Sequence, residues 1–192
     1  MDKAFYSALA IALTLVAFAP YVRSIWRGET KPHVFSWLIW GATTFVVFLA
    51  QLADRGGAGA WPIGVSGIIT LYVAYLAYVR QADASITRAD GCFFIAALAA
   101  LPAWAVTADP LWAVVILTAV DLLGFAPTFR KAWHRPHDEH LPFFVLLALR
   151  NIVAITALEH YSLTTVLFPA ALALACVLFV AMVAQRRRVL RR

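Results

Sequence analysis

Phe18-Ala19-Pro20-x-x-Arg23-x-x-Trp26 returns later in the chain as Phe125-Ala126-Pro127-x-x-Arg130-x-x-Trp133, every position displaced by one constant shift. The same displacement carries His33 to His140, so six identities fall within sixteen positions. Each copy ends a long apolar segment and opens a basic, helix-breaking connection. One fixed offset, the same local sequence and the same place on an apolar segment predict an internal duplication. Membrane proteins built from such repeats commonly hold their working site between them.

Composition agrees with a membrane setting. The 192 residues are 63% hydrophobic and 14% charged, with a mean hydropathy of +0.80. A water-facing globule could not be covered with so little polar surface. Seven apolar segments are legible, over residues 4–22, 33–53, 61–79, 90–107, 110–129, 141–158 and 162–184. Each approaches the ~20 residues a helix needs to cross the hydrocarbon. The segment at 90–107 is the shortest, with Asp90 and Asp109 beside it and Pro102 inside it. The first segment is read as a retained span: Pro20 follows the small-residue run that would serve as a cleavage site, and the flanking charge is reversed for a signal peptide.

The net charge of +6 has a one-sided distribution. Thirteen of the sixteen Lys and Arg residues fall after the first, third, fifth and seventh segments, among them Arg23, Arg80, Arg130 and the tail Arg186-Arg187-Arg188. This bias predicts an N-terminus outside and a C-terminus cytoplasmic, and the Ala- and Arg-rich composition points to a bacterial plasma membrane. The tail would lie on anionic lipid of the bilayer, and nucleic acid is not an expected partner. Trp26, Trp61, Trp112 and Trp133 mark segment ends, as aromatic belts do. Cys92 and Cys176 read as small buried hydrophobes within their spans.

Both copies of the repeated motif end on the basic side. Two three-helix units joined directly would be inverted, so one additional span must stand between them, and residues 90–107 supply it. The expected architecture is an all-α membrane protein of seven transmembrane helices: two parallel three-helix repeats joined by a linker helix. Its parts are residues 1–82, the linker 83–108, residues 109–185 and the basic tail 186–192. Connections are short, which predicts that successive helices pack as antiparallel neighbours.

This pattern resembles the PQ-loop and SWEET-like transporters, membrane proteins with parallel three-helix repeats around a linker helix. Their signature is a Pro-Gln pair near the inner end of the first helix of each repeat, followed by a basic loop and a serine. Pro20 and Pro127 match the proline, and Ser36 matches the serine in the first half. Tyr21 and Thr128 stand where glutamine is expected, and Phe143 replaces the second serine. The resemblance implies a transporter of a small polar solute working by alternating access, facilitated or secondary, with proton coupling left open. The alternative is a receptor or scaffold of the same fold, similar to the KDEL-receptor branch, that binds without net transport. Oligomeric state is not legible.

Within the spans, polar residues are the candidates for a site. Asp121 and Arg150 each lie nine residues from the inner end of their segment, roughly 13 Å deep at 1.5 Å per residue. Burying either charge alone costs several kcal/mol, and pairing with each other is the simplest solution. The ion pair would either fix two helices or line a central cavity, and both readings stay open. The shift between the repeats takes Thr14 to Asp121, Thr43 to Arg150 and Thr44 to Asn151. The candidate substrate-binding set is therefore Asp121, Arg150, Asn151, Trp40, Thr43 and Thr44, with Ser66, Thr70, Tyr72 and Tyr75 as a weaker group. Pro20 and Pro127, each without an amide hydrogen, are candidate hinges.

No enzyme chemistry is expected: no span pairs a histidine with a serine or cysteine nucleophile, and no phosphate loop is present. The tract His134-x-x-His137-x-x-His140 is interrupted by Pro136, so neither a metal site nor a cofactor is expected. Glu159 and His160 read as solvated.

Overall fold

The computed structural model of the chain is all-helical, with no strand among the described residues. Residues 2–29, 32, 34–80, 88–134, 136–138 and 141–190 are described, with the side chains at 89, 90, 93, 126, 127, 130, 131 and 138 outside that description. The helices are α1 (Lys3–Trp26), α2 (Val34–Ala53), α3 (Trp61–Val79), α4 (Arg88–Thr107), α5 (Pro110–His134), α6 (Leu141–Thr156) and α7 (Leu163–Val189). Short 3₁₀ turns occupy Gly57–Ala60 and Pro136–Asp138.

A helix stands at each of the seven apolar segments. Lys3–Trp26, Val34–Ala53, Gly57–Val79 and Leu163–Val189 are long and apolar enough to cross a membrane. Phe94–Thr107, Pro110–Phe125 and Leu141–Thr156 are shorter apolar helices. The protein is membrane-embedded, and its surface says the same: Val106, Ile95 and Leu174 are 86%, 68% and 59% exposed. Apolar side chains on that scale belong against lipid. Trp26, Trp61, Trp112 and Trp133 are about half exposed at helix ends.

Lateral packing departs from the sequence expectation. α2 packs on α3, α4 on α5 and α6 on α7, but α1 lies along α3 and α6, and α5 lies along α7 and α2. Among the described residues α1 and α2 are not packed side by side, nor are α5 and α6. α3 and α7 are interposed instead. Small residues let this happen. A Cβ on Gly41 would stand 2.7 Å from Leu71, and one on Gly67 3.1 Å from the backbone of Phe45, so α2 and α3 approach where a larger residue would hold them apart.

Helix limits follow local chemistry. The Asp2 carboxylate accepts from the Ala4 amide to cap α1, and Gly28, at φ +74°, turns the chain after it. Ser162 and Thr165 form a reciprocal capping box on α7. The shift that relates the two motifs also relates the helix starts. It carries Lys3, the start of α1, to Pro110, the start of α5, and Val34 of α2 to Leu141 of α6. Trp61 of α3 maps onto Phe168, but α7 already begins at Leu163, because the stretch that forms a 3₁₀ turn before α3 is helical before Phe168. Pro62 and Pro169 are counterparts under the same shift.

Rings repeat the pattern. Phe18 meets Trp37 edge-on at 6.4 Å and 78°, and Phe125 meets Phe144 edge-on at 6.0 Å and 83°. The same shift relates these two pairs of positions. Phe18 also reaches Phe143 of α6 at 5.6 Å, while Phe125, Phe129 and Phe144 surround the buried Phe179.

The α2–α5 contact depends on Gly124, where an added Cβ would stand 2.8 Å from Trp40 Nε1. Gly124→Val is expected to lower stability by about 1–3 kcal/mol through overpacking, measured by thermal unfolding in detergent. Gly91→Ala in α4, where a Cβ meets nothing within 4 Å, should be neutral or stabilising. Equal behaviour of the two variants would contradict the packing described.

Candidate functional site

Among the described residues thirteen polar or charged side chains are buried, and their placement orders the site. Several satisfy themselves locally: the hydroxyls of Thr14, Thr70 and Thr118 donate to the carbonyl four residues earlier. That is the ordinary fate of a hydroxyl on an apolar helix. Of the weaker candidate group, Ser66 and Thr70 are buried on α3, and the Ser66 carbonyl is the acceptor for Thr70. Tyr72 and Tyr75 face outward, 38% and 60% exposed, and stack on each other at 6.4 Å.

The main candidate set is drawn inward. Thr43, Thr44, Asp121, Arg150 and Asn151 are all buried, and Trp40 is half-buried. Thr43 sits on α2 and Asp121 on α5. The Thr43 Oγ1 lies 2.9 Å from Asp121 Oδ1 and 3.0 Å from the Trp40 carbonyl of its own helix. One hydroxyl therefore joins the two helices at mid-depth, one turn from the place where Trp40 meets Gly124. A slot of about 100 Å³ between α2, α4 and α5 reaches Thr43 past Leu38, Ala42, Leu98 and Leu117.

The expected ion pair is not formed. Among the described residues no ion pair or hydrogen bond joins Asp121 to Arg150. The reason is lateral: α5 and α6 share depth and meet at the Phe125–Phe144 rings, but they do not pack along their lengths. Arg150, 2% exposed, lies on an α6 clasped between α1 and α7, and its Nε and Nη1 have no hydrogen-bond partner. Asn151 is fully buried. Its Nδ2 donates to the Leu147 carbonyl at 2.9 Å, and its Oδ1 has no partner.

Other expectations land differently. Pro20 lies on the exposed side of an uninterrupted α1, and Pro127 lies within α5, its side chain outside the described residues. Cys92 is exposed and only Cys176 is buried, so the first is not a core residue. His134 and His137 are exposed, while His33 and His140 lie outside the described residues.

A second polar group, missed by the sequence reading, closes the N-terminal end of the bundle. Glu159 and His160 are exposed but not merely solvated. The Ala58 amide donates to Glu159 Oε1 at 3.1 Å, and the Glu159 amide donates to the Gly56 carbonyl at 3.2 Å. His160 Nδ1 lies 3.1 Å from the Asp54 carbonyl, and Ser162 donates to the Asp54 carboxylate. Buried Gln51 donates to the Thr165 carbonyl at 2.7 Å, and Lys3 to the Thr156 carbonyl at 2.8 Å. These contacts strap the α2–α3 turn and the chain start to the α6–α7 turn. No motif announces them; the one available signal was a buried glutamine in an apolar span.

No family model matches the chain, and neither a curated protein nor a solved structure matches it.

Thr43→Val keeps the shape and removes the donor to a buried carboxylate. It should destabilise the protein by about 1–3 kcal/mol, and Thr43→Ser should restore most of the loss, both read by unfolding in detergent. If the two variants unfold alike, the hydroxyl does not hold Asp121.

Proposed function

We propose that the protein is a transporter of a small polar solute, facilitated or secondary, built from two parallel three-helix halves, α1–α3 and α5–α7, with α4 as the linker. The observation that carries this reading is the buried polar centre: Asp121 is held across the α2–α5 contact by Thr43, while Arg150 and Asn151 sit on α6 without an ion-pair partner. Two unpaired opposite charges are an expensive way to stabilise a bundle, and charges of this kind in membrane proteins belong to solute or ion pathways.

Packing supports the two halves. α1 against α3 corresponds to α5 against α7, α2 against α3 to α6 against α7, and α1 against α6 to α5 against α2. The paired ring contacts and the common helix starts add to this. The halves meet along two seams, α1–α6 and α2–α5, and Thr43 and Asp121 face each other across the second. Resemblance to the PQ-loop and SWEET-like architecture rests on the same features.

In the proposed orientation the N-terminus is outside and the basic tail is cytoplasmic in a bacterial plasma membrane. The straps between Asp54–Ala60 and 157–162 then form an outer gate, shut in this conformation, with Pro20 and Pro127 as the hinges that let the halves rock.

The test is accessibility from both sides. A single cysteine at Trp40, in a chain carrying Cys92→Ala and Cys176→Ala, should react with a small thiol reagent from either face of sealed proteoliposomes. Asp54→Asn with Glu159→Gln should raise the rate from the N-terminal side several-fold. Reaction from one face alone, unchanged by the double variant, is the result for a receptor or scaffold and would overturn transport.

A further inference from the structure

We propose that Arg150 and Asn151 are the recognition end of the solute site, and that the solute is a small monocarboxylate with a hydroxyl donor beside its carboxylate. This rests on the transporter reading and adds the chemical class of the solute.

The donor and acceptor inventory leads there. Arg150 is more than nine-tenths buried, and its Nε and Nη1 are sealed from solvent without a hydrogen bond. Guanidinium presents only donors, so what completes it must accept. Asn151 has turned its amide nitrogen to the Leu147 carbonyl, leaving Oδ1, an acceptor, unpartnered. What completes Asn151 must donate. Asp121 does not neutralise Arg150, and among the described residues it is the one buried carboxylate. A solute that supplies an anionic acceptor to residue 150 and a donor to residue 151 satisfies both at once.

Charge and shape narrow the class further. One cation calls for one negative charge, because a dianion would leave an uncompensated charge in a low-dielectric interior. The planar fork of arginine matches a carboxylate in two parallel hydrogen bonds, which a spherical halide cannot make. Consecutive helix positions project about 100° apart, so the donor must stand close to the carboxylate yet off its plane. An α-hydroxy acid has that form; an α-amino acid does not, because its ammonium would stand uncompensated beside the guanidinium.

The shift between the motifs relates this arginine to the α2–α5 contact. Residue 150 is the shifted counterpart of residue 43, whose hydroxyl crosses from α2 to α5. On α6 the arginine lies within electrostatic reach of the buried Cys176 of α7, inside the second half.

The experiment measures binding, not transport. Purified protein in detergent is unfolded thermally with glycolate or L-lactate at millimolar concentration, and beside each its neutral amide. Propionate and chloride are run in parallel. The expected result is a rise in unfolding midpoint with at least one of the two hydroxy acids, less with propionate, and none with the amides or chloride. Arg150→Lys, which keeps the charge and loses the fork, should weaken that response about tenfold. Arg150→Gln should abolish it, and Gly91→Ala should leave it intact.

Stabilisation by amides or chloride equal to that by carboxylates, no stabilisation by any carboxylate, or a response unchanged in Arg150→Lys would each overturn the assignment. A purely structural arginine would lower the midpoint when replaced but would not alter the shift that a carboxylate produces. One-sided labelling at position 40 would remove the transporter reading while leaving the carboxylate response as measured, so the two failures are distinguishable.

Discussion

Between helices in hydrocarbon there is no water, so each polar group must be met by another part of the protein. The Thr43–Asp121 hydrogen bond is where this constraint bears hardest. It holds a carboxylate at mid-depth and joins α2 to α5, with Trp40 against Gly124 one turn away. Remove that closeness and the two helices have only apolar packing between them, which in lipid gives little preference for one partner over another.

Arg150 shows the constraint left unmet. The chain keeps it and Asn151 on the helix between α1 and α7 with polar atoms unpartnered, although an apolar pair there would serve stability better. At the N-terminal end most polar groups are met: Asp54, Glu159 and Lys3 are engaged, and Gln51 donates to the Thr165 carbonyl although its Oε1 has no partner. The bundle is thus tied at its N-terminal end and polar at its middle.

Much of the fold was legible because hydrocarbon thickness imposes one length scale. Apolar runs mark the helices, and the repeated Pro20 and Pro127 motifs mark the ends of α1 and α5. Burial of Thr43, Thr44, Asp121, Arg150 and Asn151 was legible too, since a polar residue within a span must turn inward. Who meets whom was not. Depth along a helix says nothing about its azimuth, so equal depth wrongly paired Asp121 with Arg150. Short connections set the direction of the next helix but not its neighbour, and the close approach permitted by Gly41 and Gly67 gives α2 to α3. The same blindness to azimuth put Cys92, Tyr72 and Tyr75 inside. The straps escaped notice because they use backbone amides and carbonyls, which leave no trace in residue types.

The proposed duplication in one orientation has a consequence that does not depend on any solute. Trp26 and Trp133 are counterparts, and α2, α3, α4 and α5 lie between them. Single cysteines at these two exposed positions, in a chain without Cys92 and Cys176, can be labelled with a membrane-impermeant maleimide in sealed vesicles of known orientation. Parallel halves joined by a crossing linker predict that both are labelled from the same side. Labelling from opposite sides would mean that α4 does not cross, and the two halves could not be parallel.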